Sequence, residues 1–175
     1  MEPNRDRTEQ RATVERFARE RPTAILYDDQ APALLDVGSG KSVALDWRRV
    51  ERVAEGRNLE TGAPYLALLR DDGRQLLLTD AGLAFAPSTA GTGPLPGLPP
   101  AVCFRDFASV EARLTHYLVD HAGEPVTRSH LDLFFFLLAL LDGARDVGFD
   151  VSREERALER LLAEIEARRA GREVP

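Results

Sequence analysis

The nine residues WRRVERVAE, 47–55, read two ways, and the choice between them decides the fold. Taken as a strand entering from Trp47 and carrying Val50 and Val53, they continue a series of five to seven short apolar segments between Thr23 and Phe104. Taken as a helix, they split that series, and the order becomes helix, three strands, helix, two strands, helix. Both readings close on an amphipathic helix from Asp106 to His121. In it Phe107, Val110, Leu114, Tyr117, Leu118 and His121 recur at helical spacing behind Asp106 as N-cap.

Upstream, Thr8 to Arg21 reads as a helix with Val14, Phe17 and Ala18 on one side, stopped by Pro22. Three strand candidates follow: 24–27, then a turn at Asp28-Asp29; 33–35, then Gly38-Ser39-Gly40; and 43–45, leading into Trp47. Downstream, 65–69 and 75–78 flank Asp71-Asp72-Gly73, a hairpin signal, and 83–85 and 102–104 supply two more. Pro87 to Pro100 is a Gly/Pro-rich connection whose stretch from Pro94 to Pro100, PLPGLPP, resembles a polyproline ligand without its basic residue; a stiff surface loop is the better reading. After Gly123 and Pro125 comes the apolar run LDLFFFLLALL, 131–141, in a helix from Ser129 to about Arg145. Gly148 breaks it. Ser152 and Glu155 then form a capping box before Leu158, Leu161, Leu162 and Ile165.

The fold class is therefore α+β: a small antiparallel β-barrel or strongly bent sheet closed by an amphipathic helix, with a C-terminal helical hairpin. The expected units are an N-terminal helix (1–22), a β domain with its closing helix (23–121) and the hairpin (122–175).

Composition narrows the function classes. The chain has 175 residues, 43% hydrophobic and 30% charged, with a formal net charge of -6. A phosphate backbone or an anionic membrane would have to be bound against the overall field, so neither nucleic acid nor membrane is expected as a partner. A membrane span needs about 20 apolar residues, and 131–141 falls well short, which makes it a buried central helix or a self-association surface. One cysteine, Cys103, excludes an internal disulfide and agrees with a cytoplasmic location. Arg-rich composition, with Lys41 the single lysine, points to a GC-rich bacterial source.

The strand reading of Trp47, Val50 and Val53, followed by the Asp-Gly hairpin and the closing helix, resembles the small bacterial domains of the pleckstrin-homology-like superfold over about 23–121. The resemblance implies a bent seven-strand barrel capped by the helix, and a binding role rather than catalysis. The lipid-binding version carries a basic cluster in the first hairpin, where this chain has Asp28 and Asp29. The helix reading instead resembles the small acidic chaperones of type III secretion.

Gly38, Gly40, Lys41 and Ser42 imitate a phosphate-binding loop, but Leu35 stands where the first glycine belongs. A hairpin turn with a solvated Lys41 is the better reading, and a nucleotide site the alternative. His116 and His121 are five apart, off a shared helix face; His116 can pair with Asp120, His121 can pack or cap the helix end, and no metal site is expected. Cys103 before a helix could be activated, yet a buried strand cysteine suits it better. Asp142, Asp146 and Asp150 gather at a helix C-terminus, where they call for a cation from Arg145, Arg153 or Arg156. No cofactor and no catalytic set are expected. The reading is a non-enzymatic adaptor or scaffold binding a protein partner, with Trp47 and Tyr65, aromatics beside turns, as candidate binding residues.

Overall fold

The chemistry of 46–57 makes that segment a strand. In this computed structural model, which describes residues 3–21, 23–27, 31–89 and 98–171, the Asp46 carboxylate accepts the Arg48 backbone N–H at 3.0 Å and pairs with its guanidinium. The cap holds a single 3-10 turn, Trp47–Arg49, and the chain then extends through Val50–Arg57. A bulge between Val50 and Arg52 accounts for the ambiguity of the sequence. Spacing of three between Val50 and Val53 is helical, but one extra residue in a strand turns both toward the core. Val50 is buried, and Val53 packs on the buried cluster.

Among the described residues the order is α1 (Pro3–Glu20), β1 (Ala24–Tyr27), β2 (Ala33–Asp36), β3 (Ser42–Ala44), the 3-10 turn, β4 (Val50–Arg57), β5 (Pro64–Arg70), β6 (Gln75–Thr79), β7 (Gly82–Phe85), β8 (Val102–Cys103), α2 (Phe104–Asp120), α3 (Arg128–Val147) and α4 (Ser152–Ala170). All seven apolar segments read from the sequence are strands, and β4 is an eighth. They form two antiparallel sheets, β1-β2-β3 and β4-β5-β6-β7-β8. No ladder joins the sheets, so the class is α+β but the strands do not close a barrel. The stop at Pro22, the turn at Asp28-Asp29 and residues 94–97 of the polyproline-like stretch 94–100 lie outside the described residues.

One core serves all the elements. It runs from Val14 and Phe17 of α1 through Leu34, Leu66, Leu68 and Leu83 of the sheets to Leu114, Leu137, Leu140 and Ile165 of the helices. At its centre Phe104 lies 5.5 Å from Phe85 and 4.9 Å, edge to face, from Phe149. This ring cluster draws Phe104 out of the last strand and into α2, moving the helix start ahead of Asp106. Asp106 is thus not the N-cap; two turns of logic are served by one carboxylate, which reaches back to accept the Cys103 N–H at 2.7 Å. The expected capping box at Ser152 and Glu155 also fails to form. Ser152 gives both its N–H and its hydroxyl to Asp150, and Glu155 turns to Arg145.

The apolar run 131–141 lies mostly inside α3 as core, with Phe134, Leu137, Ala139, Leu140 and Leu141 buried and Phe135 39% exposed. Gly148, at φ +105, ends α3 in the left-handed conformation. Within α3, Gly143 lets the helix meet the chain after β7: a Cβ there would stand 2.3 Å from the Ala86 carbonyl oxygen. Just beside it the Ser88 N–H donates to the Ala139 carbonyl at 2.9 Å. Alanine is the better helix former by about 1 kcal/mol, but the clash is with backbone. Gly143→Ala is therefore expected to lower unfolding free energy by about 1–3 kcal/mol. Urea unfolding checks it, and a variant as stable as the parent would mean that residues 86–88 yield freely.

Candidate functional site

The phosphate-loop look-alike is a closed turn. Asp36 is 3% exposed, and its carboxylate accepts the Gly38 N–H at 3.2 Å and the Ser39 hydroxyl at 2.8 Å. The Gly40 N–H goes to the Asp36 carbonyl and the Lys41 N–H to the Ser39 hydroxyl, while Ser42 sits in β3 opposite Leu35. The donors a phosphate would need are held within the turn, around a buried carboxylate that would repel it. Lys41 is not solvated. Its ammonium donates to the Asp150 carbonyl at 2.8 Å, pairs with Glu154 at 3.0 Å and lies over the Phe104 ring.

The C-terminus of α3 is neutralised from the β5–β6 hairpin. Arg70 donates to the Val147 carbonyl at 3.3 Å, and Arg74 donates to the Asp146 carbonyl at 3.0 Å and faces its carboxylate at 3.6 Å. Arg145 pairs with Asp142 at 2.8 Å, as the sequence suggested. The remaining cations come from the Asp71-Asp72-Gly73 turn region and Lys41, and Arg156 of the last helix adds to the field that favours the charged Asp150 carboxylate.

Cys103 is buried, and burial followed by the neighbouring Asp106 pushes its thiol up to about 11, so it stays protonated. His116 pairs with Asp120 at 2.9 Å. His121 occupies the C-cap position of α2. Its ring and that of His130 both stack on Tyr117, at 5.2 and 3.4 Å between centroids. The His130 Nδ1 accepts the Thr127 N–H at the start of α3 and lies 2.5 Å from the Thr127 hydroxyl oxygen. Arg168 of α4 donates to the His121 carbonyl. Burial, and then the nearby His121, hold the His130 pKa below its usual 6.5. Among the described residues no three ligand-type side chains gather for a metal, and no helix is long and apolar enough to cross a membrane.

Trp47 and Tyr65 are not brought together. Trp47 packs against the core at the end of β4 where Val50 faces Arg70, its indole N–H buried without a partner. Tyr65 faces Gly56 near the other end, roughly 20 Å away along the strand. Its ring covers Gly56, where a Cβ would come within 2.4 Å of it. Ile25, Tyr27 and Val37, 41–48% exposed, form an apolar outer face on the three-stranded sheet.

The concave candidate lies elsewhere, in a groove of about 460 Å³ between the second half of α1 and the last residues of β4. Arg16, Phe17, Glu20 and Arg21 line the helical wall; Glu55, Gly56, Arg57 and Pro64 line the other. The Asn58 N–H donates to the Ala63 carbonyl, which sets the phase of the β4–β5 ladder. Gly56 and Ala54 then bond toward β5, and Val53, Glu55 and Arg57 turn their N–H and C=O groups to the open edge. Pro64 fits that phase, because it faces Arg57 in a pair that asks no N–H of it. Earlier in β4 the Glu51 carbonyl takes the Gln10 side-chain amide at 3.3 Å, but no described partner reaches the edge groups of the last three. Sequence reasoning missed this site because an edge is a property of sheet order, which no local pattern encodes.

Compared with protein-family models, curated proteins and solved structures, the chain has no match.

Three outcomes are expected. Lys41→Met should cost about 1–3 kcal/mol in urea unfolding, because it strands a mostly buried Glu154, and millimolar Mg-ATP should leave the melting temperature of the wild type unchanged. For His130 the folded pKa is depressed, so the unfolded chain binds the proton first. Its contribution is intact above 6.5 and is lost as pH falls below it. His130→Gln, which can still reach back to Thr127, should flatten the decline in stability between about pH 7 and about pH 5.5; an unchanged decline would assign it to other groups.

Proposed function

We propose that the chain is a non-enzymatic protein-interaction module, an adaptor or scaffold that binds a protein partner with its β domain. The observation that carries this reading is the groove beside β4, floored by a strand edge whose hydrogen-bonding groups have no partner among the described residues. The pleckstrin-homology-like resemblance belongs to the same reading. A strand at 50–57, the Asp-Gly hairpin and the amphipathic α2 behind the last strand are in keeping with such a domain, while the two separate sheets do not close the barrel it implies, and transfer of a binding role from the superfold is analogy. Neither Trp47, which packs against the core, nor Tyr65, which shares a sheet face with Gly56 opposite to that of Glu55 and Arg57, lines this groove.

The two alternatives have less to support them. A secretion-chaperone order requires a helix where β4 runs. Nucleotide binding through Gly38, Gly40, Lys41 and Ser42 requires groups already bound to Asp36, Ser39, Asp150 and Glu154. A single protonated, buried cysteine suits a reducing compartment, so the module is read as cytoplasmic.

The test is an affinity pull-down of the full-length protein from native lysate with mass spectrometry of what is retained. One protein recovered in near-stoichiometric amount is expected. A bait that returns alone, at wild-type folding, would count against the reading.

A further inference from the structure

We infer, on the reading of the chain as a protein-interaction module, that the groove between α1 and β4 takes a short acidic segment of another protein in extended conformation, added as a further strand to the open edge of β4. The backbone argues for an extended occupant. Val53, Glu55 and Arg57 present N–H and C=O groups at every second residue, over about 13 Å, which is the pattern an incoming strand matches and a globular or point-like ligand does not.

Charge argues for an acidic one. The groove carries three guanidiniums, of Arg16, Arg21 and Arg57, against two carboxylates, in a chain whose net charge is -6. Arg16 pairs with Glu55 at 2.5 Å and Arg21 with Glu20 at 3.3 Å, both near the surface and exchangeable. Arg57 has no carboxylate among the described residues; its guanidinium donates to the Gly62 carbonyl at 3.1 Å and keeps its other donors for a ligand. Arg21 is already oriented, with its guanidinium 4.5 Å above the Phe17 ring at the base of the helical wall. A segment carrying carboxylates on one face can therefore bond to β4 through its backbone and to these arginines through its side chains.

The test is selection of a random octapeptide display library on the full-length protein, followed by fluorescence anisotropy of the enriched synthetic peptides. Acidic sequences are expected. Glu55→Pro removes one outward N–H but no bond of the β4–β5 ladder, and should weaken binding about tenfold. Arg57→Glu should weaken it by about tenfold or more, whereas Glu55→Gln, which keeps the N–H and releases Arg16 from its carboxylate, should bind at least as tightly as the wild type. N-methylation of alternate peptide amides gives a check that does not depend on any variant folding: one register should abolish binding and the other leave it intact. Enriched peptides that bind every variant equally, or tolerate N-methylation in both registers, would overturn the inference while leaving a protein-interaction role at another surface. No enrichment over bare resin would overturn it as well, and the pull-down would then decide the broader reading alone.

Discussion

Two antiparallel sheets that do not close on each other leave four strand edges, and covering those edges organises the molecule. β1 and β4 are outer strands of different sheets, and α1 packs on both. The apolar stripe Val14, Phe17 and Ala18 reaches into the core between them, so the helix seals the gap that a barrel would have closed with hydrogen bonds. β8 is only two residues long and runs straight into α2, which leaves little edge to protect. On the fourth, β3, Val43 lies against Gly148 at the α3 terminus, and Lys41 just before it is tied to α4. Architecture here follows from unsatisfied backbone as much as from apolar burial.

The same ties settle the electrostatics of the helical half. α3 ends among three carboxylates, an arrangement its dipole opposes by roughly 0.3–1 kcal/mol per charge. Arg70 and Arg74 come from either side of the Asp71-Asp72-Gly73 turn, so the hairpin delivers two guanidiniums to the one helix end that needs them. Arg70 is also held by Asp72 at 2.7 Å, which fixes its direction before it meets α3. A turn that reads as a simple local signal thus connects the five-stranded sheet to the helices.

Local signals survived into the fold where burial and turn chemistry agree. The strand segments, the Asp-Gly hairpin, the stop at Gly148 and the buried run of α3 were all legible, because each is decided within a few residues. Boundaries moved where a distant contact outweighed a cap: Phe104 entered α2 for the sake of Phe85 and Phe149, and Glu155 left its capping position for Arg145. Lys41 reads as solvated because nothing nearby in sequence announces Glu154. For the candidate site, Arg16, Arg21 and Arg57 were not legible, and the aromatics the sequence singled out, Trp47 and Tyr65, do not line it. The arginines meet only because α1 is laid along β4, and no periodicity encodes which strand ends at an edge.

That helix does not cover β4 along its whole length. Gln10 satisfies the edge at Glu51, and beyond it α1 meets β4 through the Arg16–Glu55 side-chain pair rather than through the strand's backbone, so the last outward groups stay open in a groove. An open edge invites unspecific pairing between copies, and charges are the usual guard against it. Glu55 and Arg57 point their backbone into the opening while carrying charge of both signs, and the helical wall adds Arg16, Glu20 and Arg21. A hydrophobic strand entering there would desolvate these groups without replacing their partners, whereas an acidic one would replace them. The features that keep the edge from aggregating are therefore the ones that would choose its ligand.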